Sequence, residues 1–104
     1  MFTNNAALLD ACVLAVLKRG NTYGYELTQK VKAVIEVSES TLYPVLRRLQ
    51  KDGNLSTYDE PVNGRNRRYY AITPPGLKKL AGYTAVWQQY KKDIDNILIG
   101  DKND

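Results

Sequence analysis

The sequence predicts a mainly α, α+β fold: a winged helix-turn-helix with a two-stranded wing and a long C-terminal dimerisation helix. Three observations predict it. Within residues 39–53, Leu42, Val45, Leu46 and Leu49 fall at i, i+3, i+4 and i+7, one face of a short helix. After Gly53 the apolar period drops from about 3.6 to 2. Asn63-Gly64, the strongest short hairpin signal, then separates two extended runs. From Leu80 the apolar positions step by 3, 4, 3, 4 and 3 through Tyr83, Trp87, Tyr90, Ile94 and Ile97, an a/d seam of coiled-coil type.

With 104 residues the chain has room for one domain and one modest core. We place a winged helix-turn-helix in residues 1–73 and a dimerisation helix, packed on the same domain, in residues 74–104. Residues 1–5 read as a frayed tail. From Ala6 to Lys18, Leu8, Leu9, Cys12, Val13, Val16 and Leu17 cover a wide helical face, so this helix is expected to bury several sides, one of them against another subunit. Gly20 is the expected stop. A second helix is expected from Thr22-Tyr23-Gly24 to about Val34, capped by Asn21 or Thr22, with Leu27, Val31 and Val34 as its stripe. Gly24 near its start suggests close approach of another backbone. The third helix follows, capped by Ser38 or Ser40 and ended by Gly53. Pro44 is expected close to its start, because proline deeper inside breaks the ladder. After the hairpin, Thr73 is the expected N-cap and Pro74 fits the first helical position. About 25 residues at 1.5 Å each make a rod of roughly 37 Å, longer than one small domain needs. Part of the seam is therefore expected to meet a second copy, with Leu80, Ile94 and Ile97 as dimerisation residues. Gly100 to Asp104 reads as a polar, disordered tail.

Composition narrows the chemistry. The net charge is +4 and the pI about 9.2, a balance suited to polyanions. There is no histidine, and the single Cys12 can form no internal disulfide. The commonest general base is absent and a structural zinc site is not expected, nor any other metal or cofactor. Cys12 sits in an apolar run and reads as a reduced thiol. No apolar stretch is long enough to span a membrane and no signal peptide is visible, so a cytoplasmic location is expected.

The third helix has one apolar face and one face suited to DNA. Ser40 and Thr41 stand at its nose; Tyr43, Pro44 and Arg47 lie along the face that a major groove would meet. An ordinary surface helix with solvated cations shows the same pattern. Arg65, Arg67 and Arg68 cluster on one arm of the hairpin beside Tyr69 and Tyr70, which favours phosphate or minor-groove contact over a solvated turn.

Taken together, these segments resemble the PadR family of bacterial transcriptional regulators. The resemblance is carried by Tyr23-Gly24-Tyr25-Glu26-Leu27, by Thr41-Leu42-Tyr43-Pro44-Val45-Leu46-Arg47-Arg48-Leu49, by Lys51-Asp52-Gly53, and by Gly64-Arg65-Asn66-Arg67-Arg68-Tyr69-Tyr70 with Thr73 and Gly76. Asn66 departs from the pattern, since the family often has proline between the basic wing residues. With one helix after the wing, the chain is similar to the short, LmrR-like subfamily. The resemblance implies a homodimeric winged-helix repressor that binds an inverted-repeat operator in double-stranded DNA.

It also bears on Trp87, the only tryptophan, with Tyr83 and Tyr90 a turn to either side. The residues alone leave Trp87 as plain core or as a stacking surface. A tryptophan at this place in the last helix lines the drug pocket of the LmrR-like subfamily, so the resemblance implies that Trp87, Tyr83 and Tyr90 bind planar aromatic or cationic small molecules at the dimer interface. The expected function is a ligand-responsive repressor of a detoxification or multidrug-efflux operon; the alternative is a PadR-like repressor without an effector. An enzyme is not expected. Asp59 and Glu60, adjacent in a strand, point to opposite faces and make a poor acid/base pair.

Overall fold

A computed structural model describes residues 5–100. The elements are α1 (Asn5–Lys18), β1 (Thr22–Tyr23), α2 (Gly24–Lys32), α3 (Glu39–Lys51), β2 (Leu55–Val62), β3 (Arg65–Ile72) and α4 (Pro74–Leu98). The three strands form one antiparallel sheet in the order β1-β3-β2. Of the two expected tails, Asn5 already belongs to α1 and Gly100 follows α4; the remaining residues lie outside the described ones.

The core sits among α1, α2, α3 and the base of the sheet. Leu9, Val13, Leu14 and Leu17 of α1 meet Leu27 and Val31 of α2 and the expected Leu42, Val45, Leu46 and Leu49 of α3, all buried. Local chemistry sets the α3 boundaries. Ser38 accepts the Thr41 N–H at its start. At its end Gly53 has φ +81°; its N–H reaches the Gln50 carbonyl and that of Asn54 the Leu49 carbonyl, a Schellman closure. Asn63 and Gly64, with φ 54° and 79°, form the hairpin turn, and the two long strands pair up to Val62 and Arg65 beside it.

Several expectations need correction. Thr22-Tyr23 does not open α2: it is a strand, pairing Thr22 with Tyr70 and Tyr23 with Tyr69. The α2 N-cap is Tyr23, with no side-chain cap, so neither Asn21 nor Thr22 fills that role. The helix ends before Val34, which is 84% exposed and no part of a buried stripe. Gly24 faces the rings of Tyr70 and Tyr43 rather than another backbone. Pro44 lies in the second turn of α3, deeper than expected, on its solvent side. Leu80, expected on a partner-facing seam, is 7% exposed inside the chain's own core.

The start of α4 is held tightly. Thr73 accepts the Gly76 N–H and donates to the Gly53 carbonyl, tying α4 to the end of α3. Only Gly76 and Leu80 of α4 are buried; Ile97 and Leu98 at its far end are exposed. Its second half therefore runs beyond the core that its first half helps to close. Among the described residues, no helix is long and apolar enough to cross a membrane.

Candidate nucleic-acid interface

The face of α3 turned away from the core begins with hydroxyls. Ser38 Oγ lies 2.9 Å from Ser40 Oγ and 3.0 Å from Thr41 Oγ1. Ser40, Thr41, Pro44 and Arg47 are exposed along this face. Pro44 has no N–H, so the Ser40 carbonyl lacks its usual i+4 donor. Tyr43 behaves differently: half-buried, it packs against the core and approaches Gly24.

The wing meets this surface. Tyr43, Tyr70, Tyr23, Tyr25, Arg67 and Arg68 line a recess of about 300 Å³ between α2, α3 and the hairpin. Tyr70 also registers the neighbourhood electrostatically. Burial pushes its phenol pKa up, while the positive charges of Arg68 and Arg47 pull it down. Cations from the wing and from α3 thus act on one ring.

The three wing arginines have different surroundings. Strand alternation puts Arg65, Arg67 and Tyr69 on the sheet face shared with Tyr23 and Tyr58, and Arg68 and Tyr70 on the opposite face. Arg67 lies over the Tyr23 ring, its guanidinium carbon 4.6 Å from the centroid. Arg68 pairs loosely with Asp59 at 3.8 Å, both side chains well exposed. Arg65 is exposed beside the turn. Arg48, next to Arg47 in sequence, turns toward α1 and binds Asp10.

The structure adds Tyr25 and Asn66 to the recess. Tyr25 could have been found from its place in the Tyr-Gly-Tyr sequence; Asn66 carried no signal beyond its position between arginines. Among the described residues, no group of three His, Cys, Asp or Glu could hold a metal.

Away from this surface, Trp87 and Tyr83 line an apolar groove of about 360 Å³ between α1 and α4, with Cys12, Ala15 and Val34 on the other side. Trp87 is 42% exposed. Burial raises the Cys12 thiol pKa, which disfavours the thiolate. Tyr90 does not line this groove. Its ring sits 6.0 Å from that of Trp87, tilted by 44°, beside a separate hollow with Val86 and Asp93.

Comparison with known proteins fits this arrangement. The pattern of the transcriptional regulator PadR-like family matches residues 13–82, from α1 into the first half of α4. The chain belongs to the PadR-like family. A transcriptional regulator of Mycobacterium tuberculosis is 46% identical over 73 residues, covering 69% of this chain and 68% of its own length. A crystal structure from Streptococcus mutans superposes with a TM-score of 0.87 at 42% identity, covering 91% of this chain and 90% of the other. A PadR-like transcriptional regulator from Bacillus cereus gives a TM-score of 0.82 at 32% identity, with 90% and 94% covered. This PadR-like chain is accordingly a DNA-binding transcriptional regulator with a winged-helix fold, and not an enzyme.

Proposed function

We propose that this PadR-like chain is a homodimeric, cytoplasmic repressor that reads an inverted-repeat operator with two copies of α3 and is released or retuned by a planar aromatic compound. The observation that carries the DNA half is the shared recess, where Tyr43 of α3 stands beside Arg67 and Arg68 of the wing. A duplex lying there meets the hydroxyl nose of α3 with its base edges and the wing cations with its backbone. In this reading Ser40, Thr41, Tyr43, Pro44 and Arg47 enter the groove, and the wing that carries Arg65, Arg67 and Arg68 lies along the flanking strand.

The dimer reading is supported by the exposed apolar end of α4. Ile94 is half-buried, and Ile97 is exposed, in a helix whose second half buries no residue fully within its own chain. The effector reading is supported by the Trp87 groove, which would carry relief of a detoxification or efflux operon.

A mobility-shift assay on the DNA upstream of the gene tests the binding half: one discrete shift with dimer stoichiometry is expected, and its loss in Arg47→Ala. Sedimentation tests assembly. The wild type should run as a dimer and Ile94→Asp, which buries an unpaired charge in the seam, as a monomer or an unfolded chain. A monomeric wild type at micromolar concentration sinks the dimer reading.

A further inference from the structure

We propose that Arg67 is a positioning residue for DNA binding, clamping the wing to the strand that leads into α2, and that Arg65 and Arg68 are the wing's phosphate contacts. The proposal rests on the reading of the hairpin as a DNA-facing wing and assigns different work to its three arginines.

The argument begins with what surrounds Arg67. Its guanidinium carbon is 4.6 Å from the centroid of Tyr23, within cation–π range. Its Nε is buried and has no hydrogen-bond partner among the described residues, so the stem of the fork is already withdrawn from solvent. The same ring of Tyr23 meets Tyr69 edge-on at 5.8 Å, and Tyr69 stacks on Tyr58 at 5.5 Å with planes 16° apart. Tyr58 in turn accepts a hydrogen bond from the Asn21 side chain at 3.2 Å. One layer therefore runs across the outer face of all three strands, from Tyr58 of β2 through Tyr69 and Arg67 of β3 to Tyr23 of β1.

That layer does something backbone pairing does not. β1 is two residues long and supplies only two pairs to β3. A two-stranded hairpin is marginal alone and needs a packed face to hold its angle. Tyr23 is also the N-cap residue of α2, and α2 is tied to α3 by the Gln29 to Glu39 hydrogen bond at 3.2 Å. Fixing the wing to Tyr23 thus fixes it relative to the helix that enters the groove. Arg68 lies on the opposite sheet face, well exposed and loosely paired with an exposed Asp59, and Arg65 is exposed beside the turn. Those two cations can reach a phosphate without giving up a stacked position.

The test uses the full chain and a fluorescein-labelled random-sequence 24-base-pair duplex, with binding followed by anisotropy from low to high salt. A phosphate contact contributes about one unit of charge to the slope of log K against log salt; a positioning residue contributes none. Arg67→Ala and Tyr23→Leu should each weaken binding by roughly three- to tenfold at the wild-type slope. The double variant should be no weaker than the worse single one, because both remove the same contact. Arg67→Lys, which keeps the charge but not the planar fork, should resemble Arg67→Ala. Tyr23→Phe, which keeps the ring, should bind as wild type. Thermal melts check that each variant is folded, and Arg67→Lys decides the matter should Tyr23→Leu not fold. Wild-type binding by Tyr23→Leu, or a slope flattened by about one in Arg67→Ala and restored in Arg67→Lys, overturns the proposal. If Arg65→Ala and Arg68→Ala also keep the wild-type slope, their assignment as phosphate contacts is overturned, whatever Arg67 does.

Discussion

Arg48 of α3 holds the carboxylate of Asp10 in α1 with two N–H···O bonds, 3.1 Å from Nη1 and 2.5 Å from Nη2. The pair is asymmetric. Asp10 has a side chain only 5% exposed, whereas that of Arg48 is 44% exposed. The phenol of Tyr83 in α4 donates to the same carboxylate at 3.2 Å, so one anion joins three helices. Hydrogen bonding to Asp10 leads the causes that raise the Arg48 pKa.

That asymmetry predicts unequal costs. Arg48→Ala leaves a buried carboxylate with the Tyr83 phenol as its one side-chain partner among the described residues and should destabilise the fold by about 3 kcal/mol. Asp10→Asn leaves a guanidinium that can turn to water and an amide that still accepts from Tyr83, and should cost about 1 kcal/mol. Urea unfolding of the two variants checks the order. Equal losses would mean that Arg48 is as desolvated as Asp10.

The same node shows where sequence reading stops. Leu42, Val45, Leu46 and Leu49 were legible because a helical stripe repeats, and Ser38, Thr73 and Asn63-Gly64 because a cap or tight turn needs particular side chains. Asp10 offered no such sign. A charged residue between Leu9 and Ala11 reads as solvent-facing until its partner, 38 positions away, is known. Leu80 fitted the seam by spacing, yet spacing does not say which helix surface meets it, and the core of its own chain took it. β1 was missed because two residues cannot display a period. For the interface, residue type pointed to the helix nose and the wing arginines; the division between Arg67 over Tyr23 and Arg68 beside Asp59 follows from strand pairing, which the arginine cluster alone does not reveal.

Alkaline pH should loosen the node. Burial leads the causes that raise the phenol pKa of Tyr83, followed by the charge of Asp10 and their hydrogen bond. Burial likewise raises Tyr70 and Cys12. A group whose folded pKa lies above its unfolded value contributes stability that is complete below the unfolded value and is lost as pH rises through the folded one. The ordinary values are 10.0 for the tyrosines and 9.0 for Cys12, so stability should hold through neutral pH and fall above about pH 9 to 10. Tyr83→Phe should cost about 1 kcal/mol at pH 7 and flatten the alkaline fall. An unchanged alkaline profile in Tyr83→Phe would assign the loss to other groups.

Gly76 makes a different, purely steric prediction. A Cβ there would collide with the carbonyl oxygen of Asn54 and come within 2.8 Å of Ile72 Cγ1. The oxygen belongs to backbone and also accepts the Thr73 N–H, so it cannot easily yield. Gly76→Ala should lower stability by about 1 to 3 kcal/mol, despite alanine's better helix propensity. Gly82→Ala, in the same helix with open space around it, should be neutral or slightly stabilising and serves as the control. A Gly76→Ala melt at the wild-type temperature would show that α4 can shift at its start.

The last prediction concerns Trp87. Its indole is partly exposed on the wall of a nearly all-apolar groove, with Tyr83 beside it and Cys12 and Val34 opposite. A flat ring entering that groove buries apolar area on both sides, and a cationic ring gains a further 0.5 to 2 kcal/mol or so over the indole face. Because Tyr83 lines the groove and also binds the Asp10 carboxylate that holds Arg48, a guest there is linked to α3 through two hydrogen-bonded contacts, Tyr83 to Asp10 and Asp10 to Arg48. As the only tryptophan, Trp87 reports its own occupancy. Titration with a planar aromatic cation such as an acridinium dye should quench its emission saturably, and a tetraalkylammonium salt should not. The emission of the dye itself, followed in Trp87→Ala, should show binding weakened about tenfold. Adding the dye to the complex with upstream DNA should change operator affinity in the wild type and less in Tyr83→Phe, as linkage through a shared element requires. Quenching by the non-aromatic cation as well, or none by any planar compound up to its solubility, would leave Trp87 as an interface residue and favour a repressor without an effector.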